Sequence, residues 1–191
     1  MNFDKIENKD IAKLLPEIEK KKVIICDLRY YPKNTTRFIS SLLKENERRN
    51  WMFVPWIMYP DRDSLAGYKE FGWGMKPYKP HINAKVIFIT SSDAISYAES
   101  FMGYIEGYNL ATIVGQPTAG TNGNVNKFSI PGNYTVRFTG MKVLKHDGSQ
   151  HHGIGIIPDV LVEKTIKGVK EGRDEFLEKA IEIAKESINK K

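Results

Sequence analysis

Three short apolar runs limit what this chain can fold into. VIICDL (23–28), KVIFIT (85–90) and LATIVG (110–115) show no polar alternation. Unbroken runs of β-branched and aromatic residues at this length read as strands buried on both faces. Such strands belong to parallel sheets with helices on either side. The segments between them supply those helices. Residues 8–22 place Ile11, Leu14, Leu15 and Ile18 on one face, with Pro16 either kinking the helix or marking its start. A second helix carries Phe38, Ile39, Leu42 and Leu43 behind a cap drawn from Asn34-Thr35-Thr36. Residues 96–108 form a third. Strand, helix, strand, helix, strand predicts parallel strands joined by right-handed crossovers.

The remaining chain has a different texture. WMFVPWIM (51–58) is extended and broken by Pro55, and residues 59–84 read as a long irregular segment rich in aromatics and glycine. Residues 124–145 alternate as short strands around the turn Pro131-Gly132-Asn133. DVLVEK is a last strand, and residues 173–188 form an amphipathic closing helix with Phe176, Leu177, Ala180, Ile181, Ala184 and Ile188. At 191 residues, with no repeat and no low-complexity linker, this is one α/β domain with a mixed sheet and flanking helices.

Composition excludes several function classes. No apolar run approaches the ~20 residues of a membrane span. The opening MNFDKIENKDIAKLL is charged and amphipathic, unlike a signal peptide. As it stands the chain is expected in the cytoplasm; a leader lost with a truncated N-terminus would instead mean export. The net charge is +6, but the lysines interleave with glutamates, as in KEGRDEFLEKAIEIAKE, so the chain reads as a lysine-rich soluble surface and not as a nucleic-acid binder. The single Cys26 lies in an apolar run and reads as a small core residue. Neither a metal nor an organic cofactor is implied.

The chemistry concentrates where KVIFIT gives way to SSDAISYAES. Ser96-Tyr97-Ala98-Glu99 is a capping box, the serine hydroxyl reaching the third helical amide and Glu99 reaching back. The same geometry suits a nucleophile. A serine at a strand-to-helix turn sits against free helix N–H groups that can hold an oxyanion. The pattern alone leaves both readings open, and the G-x-S-x-G elbow is absent.

Three further stretches are ordered around Ser96: Asp27-Leu28-Arg29, Gly115-Gln116-Pro117-Thr118-Ala119-Gly120, and Gly153-Ile154-Gly155-Ile156-Ile157-Pro158-Asp159. With Ser96-Tyr97-Ala98-Glu99 they resemble the tail-specific (C-terminal processing) serine protease family, on the side of the tricorn core and the interphotoreceptor retinoid-binding protein. The resemblance spans residues 10–186. It implies a ClpP/crotonase-like superhelix of ββα units. It also implies a serine peptidase core domain over 1–191 that lacks the family's N-terminal and PDZ-like regions. By the same resemblance Ser96 is the nucleophile and the Tyr97 amide is one oxyanion donor. A second donor would lie near Lys33 or Asn34, Gly120 and Thr121 would border the substrate, and residues 124–145 would flank its groove. The implied partner is a peptide or protein substrate, with a homo-oligomer possible. Ser96 should then open a helix at the C-terminal end of a buried strand.

The pattern also breaks. The family's lysine base falls at Thr121, which cannot accept the proton, and Lys127 lies further on in an alternating strand. The tricorn branch uses a histidine with a second serine and a glutamate. Here the glutamate's place holds His151-His152, and His152 is the leading base candidate, ahead of His151, because histidine as a residue type suits proton transfer near neutral pH. His146 reads as solvated and His81 as a loop residue. Lys33-Asn34 replaces the family's double glycine, and asparagine tolerates the left-handed backbone only in part. Two alternatives stand beside the peptidase. One is a relative that kept the fold and binds a peptide or lipid without chemistry. The other is a crotonase-type acyl-CoA enzyme, for which no feature marks a coenzyme site.

Overall fold

The computed structural model describes residues 1–61 and 64–189. Its centre is a parallel sheet of β1 (Val23–Asp27), β4 (Lys85–Thr90), β5 (Thr112–Gly115) and β9 (Val160–Leu161), in the order β1-β4-β5-β9. The three apolar runs of the sequence are its first three strands. Ile25 lies opposite Ile87, and Ile89 opposite Val114.

Because side chains alternate across a strand, β4 feeds two cores. Ile87 and Ile89 point, with Val114, at Phe176, Ala180 and Ala184 of α5 (Glu175–Asn189). Val86 and Phe88 point the other way, into a larger core. That core holds Ile11 and Leu15 of α1 (Asn8–Ile18), Phe38 and Ile39 of α2 (Thr36–Leu42), and Phe101, Tyr104 and Ile105 of α3 (Tyr97–Gly107). Phe38 meets Phe3 and Phe88 edge-on at its centre, and Phe3 and Phe88 pack at a tilt. Pro16 sits in the last turn of α1 without ending it.

The Asp-Leu-Arg stretch pins β1 to α5. The Arg29 guanidinium takes both oxygens of Asp27, at 2.9 and 2.6 Å, and both of Asp174, at 2.9 and 2.8 Å. These bonds raise the Arg29 pKa still further. They also hold the Asp174 carboxyl below its usual range against the opposing effect of burial. A bidentate arginine between two carboxylates is a strong, directional tie.

A second sheet has the order β3-β2-β8, with β2 (Met52–Met58), β3 (Leu65–Phe71) and β8 (Lys142–Val143) antiparallel. Here the sequence reading is corrected: β3 lies inside the stretch expected to be irregular. Pro55 is tolerated because β8 pairs only with Met52 and Phe53, which leaves that side of Pro55 open. A third unit, the hairpin β6 (Val125–Ile130) and β7 (Tyr134–Thr139), stands out from the body. It turns at Gly132 and Asn133, both at positive φ, as a tight hairpin requires. A short α4 (Ile166–Lys170) precedes α5. Among the described residues no helix is long and apolar enough to cross a membrane.

Candidate active site

The buried strand β4 ends at Thr90, and Ser96 opens α3, as the sequence required. Ser96 adopts φ 52° and ψ −110°. An L-residue held there costs about 1–3 kcal/mol, which neighbouring contacts must offset. Glu99 supplies them. Its Oε2 accepts the Ser96 N–H at 3.1 Å, closing the returning half of the capping box. The Ser96 hydroxyl lies on the side of the Glu99 amide without closing a full cap hydrogen bond.

Glu99 is a hub. Its carboxylate is buried, yet it accepts from Thr118 Oγ1 at 2.7 Å, the Gly120 N–H at 2.6 Å and the Thr121 N–H at 2.9 Å. His151 Nε2 lies 3.3 Å from Oε1, a close contact off the hydrogen-bond line. Burial pushes the Glu99 pKa up. His151, Thr118 and the Thr121 amide outweigh it, and the group stays ionised below its usual range.

Thr118 carries the network one step on. Its hydroxyl accepts the Ile156 N–H at 2.8 Å, and its own N–H donates to the Ile156 carbonyl at 3.1 Å. Thus three of the motifs form one hydrogen-bonded block behind Ser96. Gly155 makes the close approach possible: it has φ 70°, and a Cβ there would sit 2.5 Å from Thr118 Oγ1. We expect Gly155→Ala to cost about 2–4 kcal/mol, combining left-handed strain with overpacking. The urea midpoint measures this; a shift within error would mean the block is loose.

In front of Ser96 lies a cavity of about 150 Å³ lined by Tyr31, Met52, Trp73, Ser96, Tyr97, Ser100, Asn122, Gly123 and Asn124. The Tyr97 ring packs on Tyr31, Trp73 and Phe101 with centroids 5.8, 5.4 and 4.9 Å apart. One wall is therefore aromatic and the other carries amides and a hydroxyl. Ser100, Asn122 and Met52 escaped the sequence reading. Ser100 was within reach of it, since i+4 from Ser96 shares a helix face.

The other expected residues are placed as follows. The Tyr97 N–H, among the described residues, has no hydrogen-bond partner, as an oxyanion donor requires. The Lys33 N–H is occupied by the Phe3 carbonyl at 3.0 Å. The Asn34 carbonyl and side chain accept from Asn8 at 2.8 and 2.7 Å. Neither residue lines the cavity; the loop reaches it at Tyr31 instead. The Gly120 and Thr121 amides are turned on Glu99, and neither residue lines the cavity. His152 Nε2 lies 2.7 Å from the Asn122 carbonyl, so that nitrogen carries the proton and donates. His152 is absent from the cavity wall, and Lys127 sits exposed on the hairpin. His146, read as solvated, is buried; the reason is a notch in α3 between Gly103 and Gly107 that receives its ring. A larger cavity of about 460 Å³, bordered by His81, Ile82, Tyr108 and Leu110, opens at the far end of α3.

The sequence profile of Peptidase family S41 matches residues 38–162, roughly two-thirds of the chain. No curated protein matches. Among solved structures, a candidate peptidase from Parabacteroides merdae is similar at a TM-score of 0.71 and 21% identity, over 95% of this chain and 58% of that one. Mature CPAF complexed with lactacystin is similar at 0.75 and 16%, over 100% and 51%. The tricorn protease follows at 0.59 and 18%, over 99% and 18%. This chain therefore spans about half the length of the first two.

Proposed function

The chain belongs to Peptidase family S41, and on that premise we propose that it is the nucleophile-bearing core of a serine peptidase acting on peptides or proteins. The carrying observation is Ser96 at positive φ on the first turn of α3, with the Tyr97 N–H free beside it. Ser96 Oγ attacks the scissile carbonyl carbon, and the carbonyl oxygen becomes an oxyanion. The Tyr97 N–H donates to that oxygen, and the positive end of α3 adds to its stabilisation. The tetrahedral intermediate collapses, the amine leaves with a proton, and water later releases the acyl group. The aromatic wall of Tyr31, Trp73 and Tyr97 holds an apolar part of the substrate.

The serine proton needs an acceptor. Among the described residues no lysine or histidine lines the cavity. For His152 to act as the base it must surrender the Asn122 carbonyl or present its other nitrogen. The test is intact mass after treatment with a fluorophosphonate. We expect one adduct that disappears in Ser96→Ala. We expect its rate to climb about tenfold per pH unit while hydroxide is the acceptor; a plateau above neutrality, removed by His152→Ala, would identify that histidine as the base. No adduct at any pH would end the nucleophile reading.

A further inference from the structure

We propose that this chain pairs with a second copy of itself through one face of the β6–β7 hairpin. The register separates the hairpin's two faces. Phe128 lies opposite Val136, Ile130 opposite Tyr134, and Asn126 opposite Phe138, so these six share one side. The Phe128 and Phe138 rings meet there at 6.1 Å. The other side carries Lys127 opposite Arg137, Ser129 opposite Thr135 and, at the base of the hairpin, Val125 opposite Thr139. The first face is apolar apart from Asn126 and bears no charge; the second is basic and polar apart from Val125.

Among the described residues, none covers the apolar face. Its five large side chains are between 37% and 68% exposed. Two strands alone do not hold together well in water, so this ribbon gains most from a second layer. A contiguous apolar patch rimmed by polar residues marks a protein contact. The five side chains offer roughly 500 Å² per copy, given the usual size of such residues. Two copies face to face would bury about 1,000 Å², the lower bound for a specific but reversible dimer.

The charges favour a second copy over other occupants. With the apolar faces together, Lys127 and Arg137 of each copy point outward, so no like charges meet in a chain of net charge +6. A lipid surface would leave those cations facing away from the anionic headgroups they would need. The pairing is isologous, one patch against itself, and so closes at two. It also touches the site: β6 starts directly after Asn124, which lines the cavity at Ser96. The dimer braces the segment that Glu99 holds from the other side.

Sedimentation velocity across the micromolar range tests this on the whole chain, with no need for activity. The wild type should pass from monomer to dimer with rising concentration. Phe128→Lys with Phe138→Lys should abolish the dimer, and Lys127→Gln with Arg137→Gln should leave it unchanged. The hairpin lies outside both cores, so the melting temperature reports whether each variant is folded. As an independent readout, Val136→Cys should give a disulfide-linked dimer under mild oxidation by diamide, since Cys26 is buried. A wild type that stays monomeric throughout, a dimer that survives the double lysine variant, or flotation of the monomer with anionic vesicles would each overturn the proposal.

Discussion

Glu99→Gln should cost about 3–5 kcal/mol of stability, the range for breaking a buried, fully bonded charge. For a chain of this size that lowers the melting temperature by roughly 10 °C. Oε1 accepts from Thr118 Oγ1 and the Gly120 N–H, while Oε2 accepts from the Ser96 and Thr121 N–H groups. A glutamine has one carbonyl oxygen and one NH2. Whichever way it turns, its NH2 faces at least one backbone N–H that can only donate, Gly120 on one side or Ser96 and Thr121 on the other, and each buried donor left unpaired costs about 1–3 kcal/mol. The loss is thermodynamic first. Glu99 fixes the Ser96 amide and the 118–121 loop but reaches no reacting atom, so fluorophosphonate labelling at a temperature where the variant is folded should fall far less than stability does. Unchanged melting with a thousandfold loss of labelling would show that the carboxylate takes part in the chemistry.

The serine was legible because two local signals coincide: an apolar run that ends abruptly, and a Ser-x-x-Glu that opens a helix. The two readings of that box ask for the same arrangement. Glu99 caps the helix, and the same bond holds Ser96 where a nucleophile is useful. The link among Thr118, Glu99 and Gly155 was visible only as separate glycine-rich turns, because its bonds join residues far apart in the chain. Lys33 shows the converse. Its place after Asp-Leu-Arg suggested a free amide, and only the fold brings the Phe3 carbonyl onto it.

Strand β3 was illegible for a different reason. LAGYKEF neither alternates nor forms an apolar run, so its extended form comes from pairing with β2. Strand propensity of this kind depends on the neighbour more than on the segment. His146 was misread although a signal existed. Gly103 lies inside α3, where glycine costs about 1 kcal/mol relative to alanine, and Gly107 is its last residue. Two such residues one turn apart suggest that something must approach the helix closely, and His146 does.

His146 should make stability fall between neutrality and pH 5. Its ring is buried against Trp51, Tyr104 and Tyr108, with centroids 5.6, 4.6 and 5.4 Å away, and Nδ1 has no partner among the described residues. A Cβ on Gly107 would lie 2.4 Å from His146 Cβ, so the ring cannot retreat along the helix. Burial pushes its pKa down to about 4, opposed by Glu47, helped by Arg49 and opposed weakly by Asp147. Glu47 itself is engaged by the Tyr104 and Tyr108 hydroxyls, at 3.0 and 3.2 Å. The folded protein keeps His146 neutral, whereas the unfolded chain binds a proton there below its ordinary value of 6.5. The stabilisation is therefore complete above that value and lost progressively down to the folded pKa. From about pH 7.5 to about pH 5 the loss is roughly 2 kcal/mol. Glu99 and Asp174, both held below their usual range, contribute at lower pH and leave this window to the histidine. In His146→Phe, which keeps a ring in the notch, the same interval should be nearly flat. Urea midpoints at the two pH values measure the difference, and the His146 ring proton should titrate near 4 by NMR. Equal pH dependence in the variant and the wild type would show that the buried imidazole is not the group that protonates on unfolding.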